Sequence, residues 1–291
     1  MTVGSQRFPV PIALAALMVV FGALTPPLAR AQSAEALLRQ GIALSKRGDL
    51  PRALAAFTQA IELNPKDAVL YTNRGLVRYL QGDLPGALAD QNRAIELNPQ
   101  LPQAHANRGS IRLAMGDVDG AIGDHTAAIK LQPKYEDAYN NRALALYAKG
   151  DLDGALADLN QALKLNSFYP EAYVNRAFVL VMKGKLNEAL GDSNRAITMR
   201  PKMAEAYRIR ALAFGRGGRL QEALADLNKA ISLNPRFAQA YMDRGVLKLQ
   251  IQDPKGGLQD LRRGVELVPA LSQSAAPWIE KAQQQITSPA K

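Results

Sequence analysis

The residues whose spacing is most regular and could support chemistry are arginines and aspartates that recur every 34 residues. A carboxylate beside a guanidinium can act as a general acid or base, or it can form a purely structural ion pair. Both series are missing together from residues 34–67, where Gln40 and Ala56 stand at the corresponding positions, as pairing requires. We therefore expect structural ion pairs, with acid–base catalysis as the alternative. The expected pairs are Arg74–Asp90, Arg108–Asp124, Arg142–Asp158, Arg176–Asp192, Arg210–Asp226 and Arg244–Asp260.

Histidine and cysteine give little support for metal or nucleophilic chemistry. The chain has no cysteine, which excludes disulfides, thiolate nucleophiles and cysteine-ligated metal centres. Its two histidines, His105 and His125, occupy packing positions, and no third ligand for a metal is evident. The sequence also lacks a glycine-rich phosphate loop and any strand pattern. We therefore expect no metal, no cofactor and no enzymatic activity.

The 34-residue spacing extends over residues 34–271. Residues 90–99 (DQNRAIELNP) match residues 226–235 (DLNKAISLNP) at an offset of four periods. Small residues recur at position 8 of each repeat, as in Gly75 and Ala143, and again at positions 20 and 27. Leu, Ile or Val at positions 21 and 28 adds an apolar stripe at helical spacing. The pattern predicts repeats at 34–67, 68–101, 102–135, 136–169, 170–203, 204–237 and 238–271.

Two kinds of helix-ending signal divide each repeat. Gly stands at position 15 in six repeats, as in Gly116 and Gly150, and suits the left-handed conformation that ends a helix. Asp follows this glycine in four repeats and can cap the next helix. Sequences such as Asn64-Pro65 form the second stop near the end of a repeat. Each repeat is therefore predicted to contain two helices and two turns.

This arrangement resembles the tetratricopeptide repeat family over residues 34–271, through repeat length, small positions and terminal proline. The resemblance implies an all-α fold, a right-handed α-solenoid of seven helical hairpins. It also implies that the first helices line a concave groove and the second helices form the convex back. Pro277-Trp278-Ile279 is interpreted as opening a capping helix within residues 272–287, followed by a tail at 288–291.

Position 6 of the repeats should face such a groove, and asparagine occupies it in four consecutive repeats. An amide side chain both donates and accepts hydrogen bonds, so a ladder of asparagines can bind a peptide backbone of any sequence. The alternative is that these asparagines are ordinary solvated residues. The predicted groove residues are Asn73, Asn107, Asn141 and Asn175 in the ladder, with Thr72, Asn140, Arg208, Tyr79, Tyr147 and Phe178 beside it.

Residues 1–31 have the features of a secretory signal peptide. Arg7 precedes an apolar run at 9–24, and a Pro-Pro pair then precedes Ala29 and Ala31, the small residues that place the cleavage after Ala31. The alternative is an uncleaved membrane anchor. The segment predicts a periplasmic or secreted bacterial protein without a stable membrane span after processing.

The formal net charge is +10, and residues 170–237 hold twelve Lys or Arg against six Asp or Glu. This excess suits an acidic partner or an anionic envelope surface, or it is simply a solvated face. A repeat array without a catalytic domain predicts a scaffold that binds an extended polypeptide, and no nucleic acid, in its groove. The alternatives are a self-associating scaffold, which would form homo-oligomers, and a non-catalytic regulatory subunit of an envelope protease or cell-wall hydrolase.

Overall fold

The computed structural model describes residues 28–287, which form fifteen α-helices and one short 3-10 helix, without a strand among them. Their contacts divide into two compact units. The described part of one, residues 28–165, is called the N-terminal unit, and that of the other, residues 166–287, the C-terminal unit. Each unit is a row of helical hairpins, so the predicted repeating-hairpin solenoid fold is confirmed.

The N-terminal unit consists of four hairpins. Its helices are α1 (Leu28–Lys46), α2 (Leu50–Leu63), α3 (Ala68–Leu80), α4 (Leu84–Leu97), α5 (Pro102–Met115), α6 (Val118–Leu131), α7 (Glu136–Lys149) and α8 (Leu152–Leu165).

The C-terminal unit consists of three hairpins and a final helix. Its helices are α9 (Pro170–Met182), α10 (Leu186–Met199), α11 (Ala204–Arg216), α12 (Leu220–Leu233), α13 (Ala238–Gln250), α14 (Pro254–Leu267), a 3-10 turn (Pro269–Leu271) and α15 (Ser272–Thr287).

The turns inside the hairpins follow from the residues that end and begin each helix. Gly116 ends α5 with a φ of 88°, a left-handed conformation that glycine adopts without steric cost. Asp117 then caps α6, because its side chain accepts a hydrogen bond from the backbone N–H of Gly120 at 2.9 Å. Lys185 and Arg219 replace this Asp before α10 and α12, and neither makes a side-chain cap bond.

Small side chains allow the two helices of a hairpin to approach closely. A methyl group added at Gly75 would lie 2.5 Å from Gln91 Nε2 in α4, and one at Gly245 would lie 2.8 Å from Leu261 Cγ in α14. The alanines at positions 20 and 27 are almost fully buried, as in Ala87 and Ala94 at 0% exposure. Burial of these small residues and of the larger apolar residues beside them forms a series of small apolar clusters along each unit.

The first helices of repeats two to seven begin at residues 68, 102, 136, 170, 204 and 238, the first residues of the predicted repeats. One boundary differs, since helix α1 begins at Leu28, six residues before the predicted first repeat. Helix α15 spans Ser272–Thr287, the range predicted for the capping helix, but Pro277 lies inside it and does not open it. Pro277 is the sixth residue of this helix and has no N–H to donate to the carbonyl of Gln273, so one intrahelical hydrogen bond is absent there.

The predicted signal peptide falls largely outside the described residues, which begin at Leu28. Ala29 and Ala31 lie in the first turn of α1, and a cut after Ala31 would leave the rest of that helix to begin at Gln32. None of the described helices combines the length and the apolar character needed to cross a membrane.

Candidate functional site

Within each unit the first helices of successive hairpins lie closer together than the second helices do. Helices α1, α3, α5 and α7 contact one another in sequence, as do α9, α11, α13 and α15. Among the described residues, no such contact joins successive second helices, for example α4 and α6. The first helices therefore form the inner layer of each unit, and their faces turned away from the second helices form its inner surface.

Position 6 lies on this inner surface, since it is almost half a helical turn away from the small residue at position 8 that faces the second helix. In the N-terminal unit, Asn73, Asn107 and Asn141 are all half-buried at this position. Asn73 uses one amide N–H to donate to the carbonyl of Val69 at 2.8 Å. No hydrogen bond joins the side chain of Asn107 to any described residue. The arrangement thus leaves donors and acceptors at the surface of successive hairpins.

Position 9 of the inner surface, beside these amides, is half-buried in all three helices. Leu76 and Leu144 occupy position 9, and Ser110 occupies it between them. No lysine or arginine stands at positions 2, 6, 9 or 13 of α3, α5 or α7. A surface of half-buried leucines and amides suits an extended, largely neutral peptide.

The position-5 residues are not groove residues, which corrects the sequence-based expectation. Thr72, Asn140 and Arg208 are all buried, at 7%, 2% and 9% exposure. The Thr72 hydroxyl donates to the carbonyl of Ala68 at 2.9 Å, and the Asn140 amide donates to Asn141 Oδ1 at 3.1 Å. Position 5 lies about 60° from the small position 8, so it points along the row of hairpins and is covered by packing.

The fourth predicted rung, Asn175, also differs from the other three. It belongs to α9 in the C-terminal unit and is buried, with 8% of its surface exposed. The next two position-6 residues of that unit are Ile209, at 1% exposure, and Asp243. The structure therefore places half-buried asparagines at this position only in the described N-terminal unit.

The three aromatic residues predicted for the groove are half-buried. Tyr79 and Tyr147 lie one turn after the small residues Gly75 and Ala143, on the helix side turned toward the second helix rather than inward. Burial raises the pKa of the Tyr79 phenol, in keeping with a packed position. Phe178 lies one turn after the buried Val174 in α9.

A cluster of charged residues replaces the ladder in the C-terminal unit. The Arg208 guanidinium donates to Glu205 Oε1 at 2.9 Å and to Asp243 Oδ2 at 2.8 Å, which links α11 to α13. Burial alone lowers the pKa of Arg208, but the two carboxylates raise it and the net direction is upward. Both carboxylates of the cluster accept hydrogen bonds from the one guanidinium, so the cluster has a structural explanation and offers no free cation to a ligand.

All six expected ion pairs are present in the structure. Each arginine donates two parallel hydrogen bonds to its aspartate at 2.7–2.9 Å, as Arg142 does to Asp158. The aspartates are buried, and the arginine side chains are 15–23% exposed. Loss of one partner from such a pair typically costs about 3–5 kcal/mol. The pairs join the two helices of a hairpin and account for these carboxylates without catalysis.

Sequence reasoning missed a second bond from the same arginines. Within the two units, four arginines also donate through Nη1 to a polar side chain at position 25 of the preceding hairpin. In the sequence, a polar residue recurs at position 25, and this recurrence could have indicated the bond. The bonds are Arg108–Asn92 at 3.0 Å, Arg142–Thr126 at 3.1 Å, Arg210–Asn194 at 2.7 Å and Arg244–Asn228 at 2.7 Å. Each of these arginines thus ties three helices together.

The two histidines take different structural roles. His105 Nε2 lies 3.0 Å from the carbonyl of Pro99, where tyrosines of other repeats place their hydroxyl groups. His125 is fully buried and neither ring nitrogen has a hydrogen-bond partner. Burial lowers its pKa to about 4, the nearby Asp124 opposing the shift and Arg142 adding to it. The described residues contain no cluster of three or more His, Asp or Glu that could hold a metal.

Equal-length hairpins in a row, with an inner layer of first helices, define a helical-repeat protein of the kind that serves as a scaffold for protein–protein interaction. One model of the tetratricopeptide repeat matches residues 38–102, 174–235 and 210–272, and another, of the TPR repeat, matches residues 109–150 and 143–184. The chain belongs to the tetratricopeptide repeat family.

Solved structures of the same fold agree with this assignment. A tetratricopeptide repeat protein from Parabacteroides merdae is 22% identical, with a TM-score of 0.70, over 87% of this chain and 99% of its own. Cut9 and Hcn1 form an APC/C hetero-tetramer whose matching chain is 16% identical, with a TM-score of 0.71, over 87% of this chain and 53% of that chain. The Thermus thermophilus protein TTC0263 is 25% identical, with a TM-score of 0.56, over 62% of this chain and 99% of its own. A search of curated proteins found no match.

Proposed function

We propose that this protein is an exported adaptor that binds an extended segment of another polypeptide on the inner surface of its N-terminal unit. The observation that carries the proposal is the row of half-buried asparagines 73, 107 and 141, in which Asn107 makes no internal hydrogen bond. A half-buried amide without an internal partner is satisfied by water or by a ligand. The flanking Leu76 and Leu144 supply apolar contact for side chains of the bound segment.

The test is a double substitution, Asn107→Ala with Asn141→Ala, followed by affinity capture of partners from periplasmic extract and peptide mapping of what is retained. Each lost hydrogen bond weakens binding by about 0.5–1.5 kcal/mol, so capture should fall by about tenfold or more. Circular dichroism should be unchanged, since both side chains lie at the surface of the inner layer.

The matched control is Asn187→Ala with Gln221→Ala, which removes two exposed amides from the outer helices α10 and α12. This control should capture as the unchanged protein does. Equal capture by both double variants would refute the proposal that the asparagine surface binds the partner. If light scattering then showed concentration-dependent oligomers, it would favour a self-associating scaffold.

Export to the periplasm or outside the cell rests on residues 1–31, whose pattern of one charge, an apolar run and small residues before the cut is typical of signal peptides. Mass spectrometry of the protein from a periplasmic fraction should find a mature N-terminus at Gln32. Recovery of the chain with residues 1–31 intact in the membrane fraction would instead indicate an anchor.

A further inference from the structure

A cleft of about 690 Å³ lies between the two helices of the last hairpin, on the side away from the inner surface. Its α13 side carries Tyr241, Arg244 and Lys248, and its α14 side carries mainly charged and polar residues. No position-6 residue lines this cleft, so it needs its own explanation.

The charges in this cleft do not balance. Asp260 accepts hydrogen bonds from Arg244 at 2.7 Å and lies 2.8 Å from Lys248 Nζ, so one carboxylate faces two cations. Glu266 pairs with Arg263 at 2.7 Å.

Two further cations, Lys255 and Arg262, also line the cleft. Both are exposed, and within residues 28–287 neither has a carboxylate partner. Five cations against two carboxylates leave an excess of three positive charges around one cleft.

Arg262 departs from the repeat pattern in a way that creates part of this excess. It stands at position 25, where Asn194 and Asn228 accept a hydrogen bond from the arginine of the next hairpin. After α14 the next helix is α15, which has Trp278 at the position of that arginine. The last hairpin therefore exposes a cation at position 25, where the earlier hairpins of the unit have an asparagine that is hydrogen-bonded to the next hairpin.

The excess continues along the outer helices of the same unit. Position 26 is basic in all three hairpins, as Arg195, Lys229 and Arg263, whereas Gln59, Ala127 and Gln161 stand there in three hairpins of the N-terminal unit. Residues 166–287 contain eighteen Lys or Arg against eleven Asp or Glu, while residues 28–165 contain sixteen against fifteen. The positive charge is therefore a property of this unit and not of the whole chain.

From this cleft we infer a second binding site, whose ligand is an acidic polypeptide segment. Carboxylates of such a segment can pair with Lys255 and Arg262, and its backbone N–H groups can donate to the oxygens of Glu266 and Gln259 at the same cleft. A phosphate backbone has no donors for those oxygens, and a flat lipid surface cannot reach the half-buried Arg244 and Lys248 inside the cleft. The chemistry of the lining thus favours a peptide over a nucleic acid or a membrane.

The test uses a fluorescein-labelled oligoglutamate peptide and the full chain, with binding measured by fluorescence anisotropy at physiological salt. The variant Lys255→Glu with Arg262→Glu should weaken binding by about tenfold, because two exposed ion pairs are replaced by repulsion. The control Lys134→Glu with Lys164→Glu changes the net charge equally, on exposed lysines of the N-terminal unit. It should change affinity by less than about twofold, because neither lysine lines the cleft.

Three outcomes would overturn the inference. The first is that oligoglutamate does not bind the unchanged protein, and the second is that the two double variants weaken it equally. The third is that single-stranded DNA or phosphatidylglycerol vesicles bind more tightly than oligoglutamate and respond to the same two residues. Circular dichroism of both variants shows that a loss of binding is not a loss of fold.

Discussion

At the scale of single residues, position 24 of the repeats accepts side chains of different chemistry on the same backbone. Position 24 holds Leu159, Leu227 and Leu261 in three hairpins and His125 in the third repeat, and all four are buried. The histidine ring lies against Gly109, where an added methyl group would be 2.9 Å from Nε2. Gly245 faces Leu261 in the same way, so the site accepts either side chain. His125 therefore brings a buried, titratable group to a place where three other hairpins have leucine.

His125 should make the protein less stable in mild acid. Its folded-state pKa of about 4 lies below the ordinary value of 6.5, so the unfolded chain binds the proton first as the pH falls. The free energy of unfolding should fall between about pH 6.5 and pH 4, by about 3 kcal/mol in all. Urea unfolding at pH 7 and pH 4.5 should show this loss, and His125→Leu should reduce the difference between the two values. An identical pH dependence in the variant and the unchanged protein would contradict the assignment.

At the scale of elements, the hairpins depend on how the first helix ends. Six of the seven hairpin turns have a glycine with φ between 74° and 90°. In the last hairpin Gln252 takes the same place, with a φ of 61°, and is the one residue other than glycine with positive φ in the described chain. A side chain in this region strains the backbone.

Substitutions at these turn positions should change the free energy of unfolding in opposite directions. Gln252→Gly should raise the free energy of unfolding by about 0.5–1 kcal/mol, and Gly150→Gln should lower it by at least about as much. No heavy atom lies within 4 Å of a methyl group placed at Gly150, so the change there acts through the backbone and not through a clash. Thermal unfolding of the two variants should show a higher melting temperature for Gln252→Gly and a lower one for Gly150→Gln. A Gln252→Gly protein that melts earlier would show that the Gln252 side chain contributes more than its backbone strain costs.

At the scale of the whole molecule, one fold carries two surfaces of different chemistry. Residues 28–165 are nearly neutral and expose amides and leucines on their first helices. Residues 166–287 are basic, and Asp243, at the position of the asparagines, belongs to the closed Arg208–Glu205–Asp243 cluster. Because each repeat contacts only its neighbours, the surface of one repeat can change without disturbing the packing of distant ones. The proposed neutral segment and the proposed acidic segment would therefore bind at separate sites.

The repeat period, the helices and the ion pairs could all be predicted from the sequence. They depend on contacts within one hairpin, where spacing along the chain determines which side chains meet. The first helix of each repeat after the initial one begins at the first residue of the predicted repeat, and Arg142 pairs with Asp158 as expected. The ladder as a peptide site stays a prediction that the binding experiment must test.

What only the tertiary structure decided concerns contacts between hairpins. Thr72, Asn140 and Arg208 looked like groove residues on a single helix, but packing along the row buries them. The bonds from Arg210 to Asn194 and from Arg244 to Asn228 were missed for the same reason. A helical period determines which way a side chain points, but not which neighbour covers it, because that depends on the angle and distance at which the next hairpin packs. The exposed Arg262 could likewise be interpreted only once the structure showed that position 25 accepts a hydrogen bond from the arginine of the next hairpin.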